Sequence, residues 1–195
     1  MAFLPLLKGV TFGVVGFLVG GGLVAGIRSL MGLDAWSAEP VIVVGYLFGL
    51  MGWLLGVGLW DMWAREWFGL RVKEDPPRGW PRYFRFWTDH KVVGVQYLVT
   101  FVVVMLLAVS LAMLMRVELM KPGKTIMDAS TYNATMSLHG ILVVAVAVAT
   151  IIGGFANFVL PLLIGSKDVA FPRVNALSYW IIPPVAVLLL SSPLM

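Results

Sequence analysis

Apolar residues in this chain come in five long runs broken by short polar stretches, a pattern unlike the periodic stripes of a helix at a water-facing surface. The runs cover about Ala2–Leu30, Pro40–Ala64, Val92–Met115, Thr135–Leu163 and a last one from about Ala176. About 20 apolar residues cross the hydrocarbon core of a bilayer as a helix, so the pattern predicts an all-α polytopic membrane protein with about five transmembrane helices.

Local detail sharpens several of these elements. The first run is too long for the apolar core of a cleavable signal peptide, and no small-residue cleavage site precedes Arg28. Gly16/Gly20 and Gly22/Gly26 have the four-residue spacing that lets helix backbones approach, which predicts a tight contact with the second helix or a partner subunit. In the second run Gly45, Gly49, Gly52 and Gly56 form one stripe. It ends in WDMWAREWF, an aromatic and charged interface anchor in which Asp61 reads as a solvated group rather than a proton-pathway acid. Pro183-Pro184 should kink the fifth helix or mark its late start. The run then reaches SSPLM with no charged anchor, as if cut within or just after a helix.

Between Arg65 and Lys91 lies the only long polar loop, rich in proline and in charges of both signs. Placing Lys8, this loop and Lys167/Arg173 on one side collects most of the basic residues against Arg28 and the 116–124 segment on the other. The positive-inside rule then puts the N-terminus and the 165–176 loop in the cytoplasm.

Composition agrees and excludes alternatives. The chain is 60% hydrophobic and only 12% charged, with mean hydropathy +0.93, where a soluble domain would be about 25% charged. The net charge of +4 belongs to basic loops facing lipid headgroups, so no nucleic-acid partner is expected. Cysteine is absent, which removes disulfides, thiolate metal sites and iron–sulfur clusters and leaves two His and the carboxylates as strong ligands.

His139 stands about one and a half turns inside the predicted fourth helix, where an imidazole is either a cofactor ligand or a hydrogen-bonding residue between helices. His90 starts the third helix at the opposite membrane face, reads as an interfacial polar residue, and cannot share a ligand set with His139. Arg116 at the outer end of the third helix can snorkel to headgroups. Asn157 follows His139 by eighteen residues, which on an unbroken α-helix is one face and about 27 Å.

The ordered series Arg116, Glu118, Pro122-Gly123, Tyr132-Asn133, His139-Gly140, Gly153-Gly154-Phe155, Asn157, Pro161, Gly165, Asp168, Phe171-Pro172-Arg173, Asn175 and Trp180 resembles the N-terminal part of subunit I of the haem-copper oxidases, the cytochrome c oxidase family. The resemblance covers roughly Thr88 to Met195, and the last three helices resemble the first three of the subunit I bundle. It divides the chain into two extra Gly-rich helices (1–66), a basic cytoplasmic connector (67–91) and an oxidase-like segment (92–195).

The resemblance implies that His139 is one of two axial ligands of a low-spin haem, of the haem A type, and that Arg116 hydrogen-bonds the haem periphery. Asp168, Asn157 and Asn175 match the entrance of the proton-uptake path called the D channel. Glu118 and Gly123 match a peripheral calcium or sodium site, although one Glu and one Gly fall far short of six oxygens. The interval from His139 to Asn157 is one residue shorter than the family pattern, a rotation of about 100° unless a local bulge restores the phase.

By the same resemblance the copper ion CuB, the high-spin haem and the second low-spin ligand lie beyond these residues, so this segment alone cannot reduce oxygen. The implied partners are the remainder of subunit I, subunits II and III, cytochrome c as electron donor, and membrane lipid. The implied location is a bacterial cell inner membrane. Two other readings stay open: a quinol oxidase of the same superfamily, and a cofactor-free membrane scaffold or transporter segment.

Overall fold

The computed structural model describes residues 3–71 and 79–191, and the predicted connector's residues 72–78 lie outside them. The described residues hold helices α1 (Leu4–Leu30), α2 (Ala38–Val57), α3 (Leu59–Trp67), α4 (His90–Glu118), α5 (Ala129–Ile141), α6 (Val148–Leu163), α7 (Pro172–Trp180) and α8 (Ile182–Ser191). A 3₁₀ turn covers Trp80–Phe84, and a π-helical stretch over Leu142–Ala147 joins α5 to α6. Five helical spans are long and apolar enough to cross a membrane: Leu4–Leu30, Ala38–Val57, His90–Glu118, Ala129–Leu163 and Pro172–Ser191. The protein is a multi-pass, all-helical membrane protein.

The chain forms two compact units, Met1–Trp87 and Thr88–Met195. In the first, α1 and α2 pack as a hairpin along a glycine seam. A Cβ on Gly16 would collide with the Phe48 carbonyl, one on Gly52 with the Phe12 carbonyl, and one on Gly56 with Lys8 and Gly9. All four stripe glycines of α2 lie in this seam, whereas Gly22 and Gly26 meet nothing within 4 Å and play no part in it. The second predicted helix does not run on to Ala64. Gly58 takes φ 98°, a left-handed cap that ends α2 and lets WDMWAREW form a separate short helix. There Asp61 is exposed and pairs with Arg65 at 2.9 Å, as a solvated interfacial acid would.

In the second unit α4 packs against α5, the π stretch, α6 and α7. Asp89 caps α4 by accepting the Lys91 N–H at 2.8 Å, and Asp128 caps α5 by accepting that of Thr131 at 2.8 Å. The Asp128 cap starts the fourth helix at Ala129 rather than near Thr135, so His139 sits almost three turns in. Contact with α4 uses small residues here too. Gly94 fits against Phe158 and Gly154, and Gly154 against Leu98. The fifth helix begins at Pro172, earlier than Ala176 because proline suits a first helical turn, and breaks at Ile181 ahead of Pro183-Pro184.

The π stretch changes one expectation. Buried positions along the α5–α6 span run Leu138, Leu142, Ala147, Thr150, Gly154 and Pro161, with a five-residue step across the π turn. The π turn sets the helix back by about one residue, roughly 100°, relative to an unbroken α-helix. His139 and Asn157 therefore flank the α4-facing seam instead of sharing a face. Thr150, fully buried, donates its hydroxyl to the Val146 and Ala147 carbonyls at 2.8 and 3.0 Å, where the π turn disturbs the backbone ladder.

Candidate functional site

Two polar constellations stand at opposite ends of the second unit. The first is built around His139. Its Nδ1 lies 2.8 Å from the backbone oxygen of Ala108 on α4. A carbonyl only accepts, so Nδ1 donates to it, and Nε2 is the ring nitrogen left for another partner. Ala108 and the neighbouring Leu138 belong to an apolar cluster with Val104, Leu142 and Ala147, against which Phe101 and Met105 pack, and His139 itself is half-buried. A neutral imidazole whose second nitrogen is fixed by a backbone carbonyl is the usual form of a haem-iron ligand. The residues present therefore fit an axial ligand through Nε2.

Arg116 is exposed near the C-terminal end of α4. It lies eight residues beyond Ala108, about 12 Å along the helix.

Glu118 is tied to the loop that follows α4. Its Oε1 accepts the Thr125 N–H at 2.9 Å, and its Oε2 accepts those of Ile126 and Met127 at 2.7 and 2.9 Å. The Thr125 hydroxyl also donates to the Glu118 carbonyl at 3.1 Å. Beside it a pocket of about 380 Å³ is lined by Gly123, Lys124, Asp128, Tyr132 and Asn133 among others. Both carboxylate oxygens are thus engaged by N–H groups, and a lysine shares the lining. Glu118 clamps the α4–α5 loop, and Gly123 supplies its turn at φ 83°.

The second constellation lies at the opposite end, beside the first turn of α4. Asp168 accepts the Val169 N–H through Oδ1 at 2.8 Å, while the Ser166 hydroxyl donates to its carbonyl at 2.7 Å. The same Oδ1 faces His90 Nδ1 at 3.3 Å. His90 opens α4, at the end of the span as expected, but is only 3% exposed, covered by protein there. Asn157 turns back on its own helix, donating to the Gly153 carbonyl at 2.7 Å, and bonds neither Asp168 nor Asn175 among the described residues. Asn175 accepts the Ser178 hydroxyl on its carbonyl at 2.7 Å, while its Nδ2 is buried with no partner among the described residues.

Sequence reasoning missed what continues from Asn175. Ser178 Oγ meets Tyr97 Oη at 2.9 Å, and Thr100 Oγ1 meets Tyr179 Oη at 3.2 Å, with the two tyrosine rings edge-on at 5.2 Å. Tyr97 and Thr100 are three residues apart on α4, and Asn175 and Ser178 are three apart on α7. That spacing marks one face of each helix, but only packing shows that the two faces meet. The central polar run thus joins α4 to α7, while Asn157 stands apart.

Comparison with known proteins places the second unit in a family. The family profile described as cytochrome c and quinol oxidase polypeptide I matches residues 92–195, and α1 to α3 lie outside the match. The chain is 42% identical over 117 residues to cytochrome c oxidase subunit 1 of Synechocystis sp., covering 60% of this chain and 21% of that protein. It is 45% identical over 114 residues to cytochrome c oxidase subunit 1 of Thermostichus vulcanus, covering 58% and 21% respectively. With the haem-copper oxidase subunit I+III of Aeropyrum pernix it is 41% identical over 105 residues, covering 54% and 13%. The chain spans about a fifth of the length of the first two of these relatives. No solved structure gives a significant match. The profile match over more than half the chain, on the unit that carries both constellations, makes this protein a member of the cytochrome c and quinol oxidase polypeptide I family, the subunit I family of the haem-copper oxidases.

Proposed function

We propose that this chain supplies one axial ligand of the low-spin haem and the proton-entry end of a terminal oxidase that passes electrons from cytochrome c to oxygen and translocates protons. The observation that carries the reading is the His139–Ala108 bond, which orients the ring and leaves Nε2 for iron. A bound low-spin haem supplies one-electron transfer by cycling its iron between two oxidation states. His139 would hold the iron through Nε2, the apolar cluster that contains Ala108 would keep water from that side, and Arg116 would place a positive charge at the haem edge.

At the inner end Asp168 collects protons at the cytoplasmic face, and Asn175 offers a buried amide donor without a protein partner, as a relay through water requires. Asn157 belongs to the same entrance, reached by a change of rotamer that frees its amide from Gly153. The N-terminus and the 165–171 loop face the cytoplasm of a bacterial cell. The remainder of subunit I and the other oxidase subunits complete the oxygen-reducing site with CuB and a high-spin haem, and the subunit I+III relative favours subunit III among the partners. The haem is of the A type.

The test is a reduced-minus-oxidised spectrum of the purified complex beside one carrying His139→Ala. Loss of the low-spin bands with the complex still assembled is expected, and unchanged bands would remove His139 from the axial position. No haem in either sample would favour the cofactor-free scaffold.

A further inference from the structure

The first unit lies outside the family match and takes no part in the haem and proton chemistry above. One end of its hairpin gathers three pieces of chain. Gly58 turns the backbone out of α2, and α3 follows with Trp60, Trp63 and Trp67 on one face, successive rings 5.4 and 6.1 Å apart. The Asp61–Arg65 pair takes the opposite face. The Phe86 N–H donates to the Val57 carbonyl at 3.1 Å, and the Phe84 ring meets that of Phe3 at 4.6 Å, so the 3₁₀ turn returns to this same end.

Because α1 and α2 are long enough to span the membrane, their ends stand where hydrocarbon gives way to headgroups. Trp67, Phe68 and Trp80 are 72, 79 and 77% exposed there, aromatic surface of the kind that settles at that depth. Charge narrows the choice of lipid. From Leu59 to Trp87 the sequence carries six Lys/Arg against four Asp/Glu, an excess that favours an anionic surface. Arg65 is held by Asp61, but Arg71, Arg82 and Arg85 are exposed with no carboxylate partner among the described residues. Arg82 is also held in place. Its guanidinium lies 4.7 Å from the centre of the Tyr83 ring and gives an N–H to Tyr83 Oη at 2.6 Å, which leaves the rest of its planar fork for a phosphate.

We propose that α3 and the 3₁₀ turn form a platform for anionic phospholipid headgroups, with the arginines on the phosphate and Trp67, Phe68 and Trp80 at the acyl-chain boundary. α3 then lies along the membrane surface with its Asp61–Arg65 face towards water, a course that the left-handed Gly58 opens by freeing it from the α2 axis. The platform is independent of the haem and proton-entry readings.

The test uses the intact complex reconstituted with photoactivatable phosphatidylglycerol or phosphatidylcholine of the same acyl chains, with crosslinks read peptide by peptide. Phosphatidylglycerol should label the 59–71 and 80–85 segments several-fold more than phosphatidylcholine, and added salt should shrink the difference. Each of Arg71→Gln, Arg82→Gln and Arg85→Gln should lower that preference by a factor of up to about five, and the triple variant should remove it. Trp67→Ser and Trp80→Ser should instead reduce labelling by both lipids. Equal labelling by the two lipids in the parent overturns the proposal, as does an unchanged preference in the triple variant. Should the triple variant fail to assemble, judged by subunit content, an unchanged preference in Arg82→Gln decides against it. Crosslinks to another subunit in place of these segments would mean that a protein covers this end, and the lipid platform falls.

Discussion

His139 shows how one backbone contact decides the chemistry of a side chain. A histidine between two transmembrane helices usually bonds its neighbour, and here it does so through Nδ1 alone. The bond to Ala108 uses Nδ1 as a donor and leaves Nε2 as the nitrogen that the proposed haem would use. Replacing Ala108 by a bulkier residue would act through this geometry. Ala108→Leu, at a position with 0% exposure, should tilt the ring and broaden or shift the low-spin bands without abolishing haem binding, as seen in the optical spectrum. Arg116 belongs to the same scale. Removing its charge with Arg116→Met should lower the low-spin haem's reduction potential, because the reduced form loses a compensating positive neighbour; redox titration of the bands would register the change.

Elements are held in register here by features that do no chemistry. In the α5–α6 span, the Thr150 hydroxyl engages two carbonyls next to the π turn, so Thr150→Val should destabilise the second unit by about 1 kcal/mol. Thermal melting of the complex would detect the loss. The α1–α2 hairpin depends on a lack of side chains. Gly52→Leu must push α1 from α2 because its Cβ meets the Phe12 carbonyl, at a cost of roughly 1–3 kcal/mol, which would appear as a lower melting temperature or poorer assembly. At the start of α5 the Thr131 backbone N–H, then its side chain, hold the Asp128 carboxyl below its ordinary pKa. A depressed folded-state pKa stabilises the fold above the ordinary value and is lost as pH falls through the lowered one. The first turn of α5 should therefore exchange its amides faster only below roughly pH 4, and Asp128→Asn should remove that acid dependence.

At the scale of the molecule, orientation in the membrane is the quantity to measure. Because the chain has no cysteine, single cysteines at Ser37 and at Ser166 can be labelled from either side without interference. With the N-terminus cytoplasmic, the Ser166 label should react only from the cytoplasmic side and the Ser37 label only from the outside. The reverse pattern would overturn the topology and put Asp168 on the wrong face for proton uptake.

What the sequence determined by itself was the membrane class, the number of spans and the family, because length, hydropathy and an ordered residue series are properties of the chain alone. It also marked His139, Asp168 and Asn175, since polar groups beside or within apolar runs stand out without a structure. Tertiary structure decided the rest. Which nitrogen of His139 is free depends on where the Ala108 carbonyl lies, thirty-one residues away. The burial of His90 against Asp168, the Tyr97–Ser178 contact and the commitment of Glu118 to three N–H groups are likewise set by packing. The short His139–Asn157 interval raised the question of a bulge, but the place of the π turn was not legible because an all-apolar run has no period to betray a lost phase, and its effect is read from which residues end up against α4. Composition and order fix what a membrane chain is, while the pairing of its few polar atoms is settled only where helices meet, since an unpaired polar group there has no water to turn to.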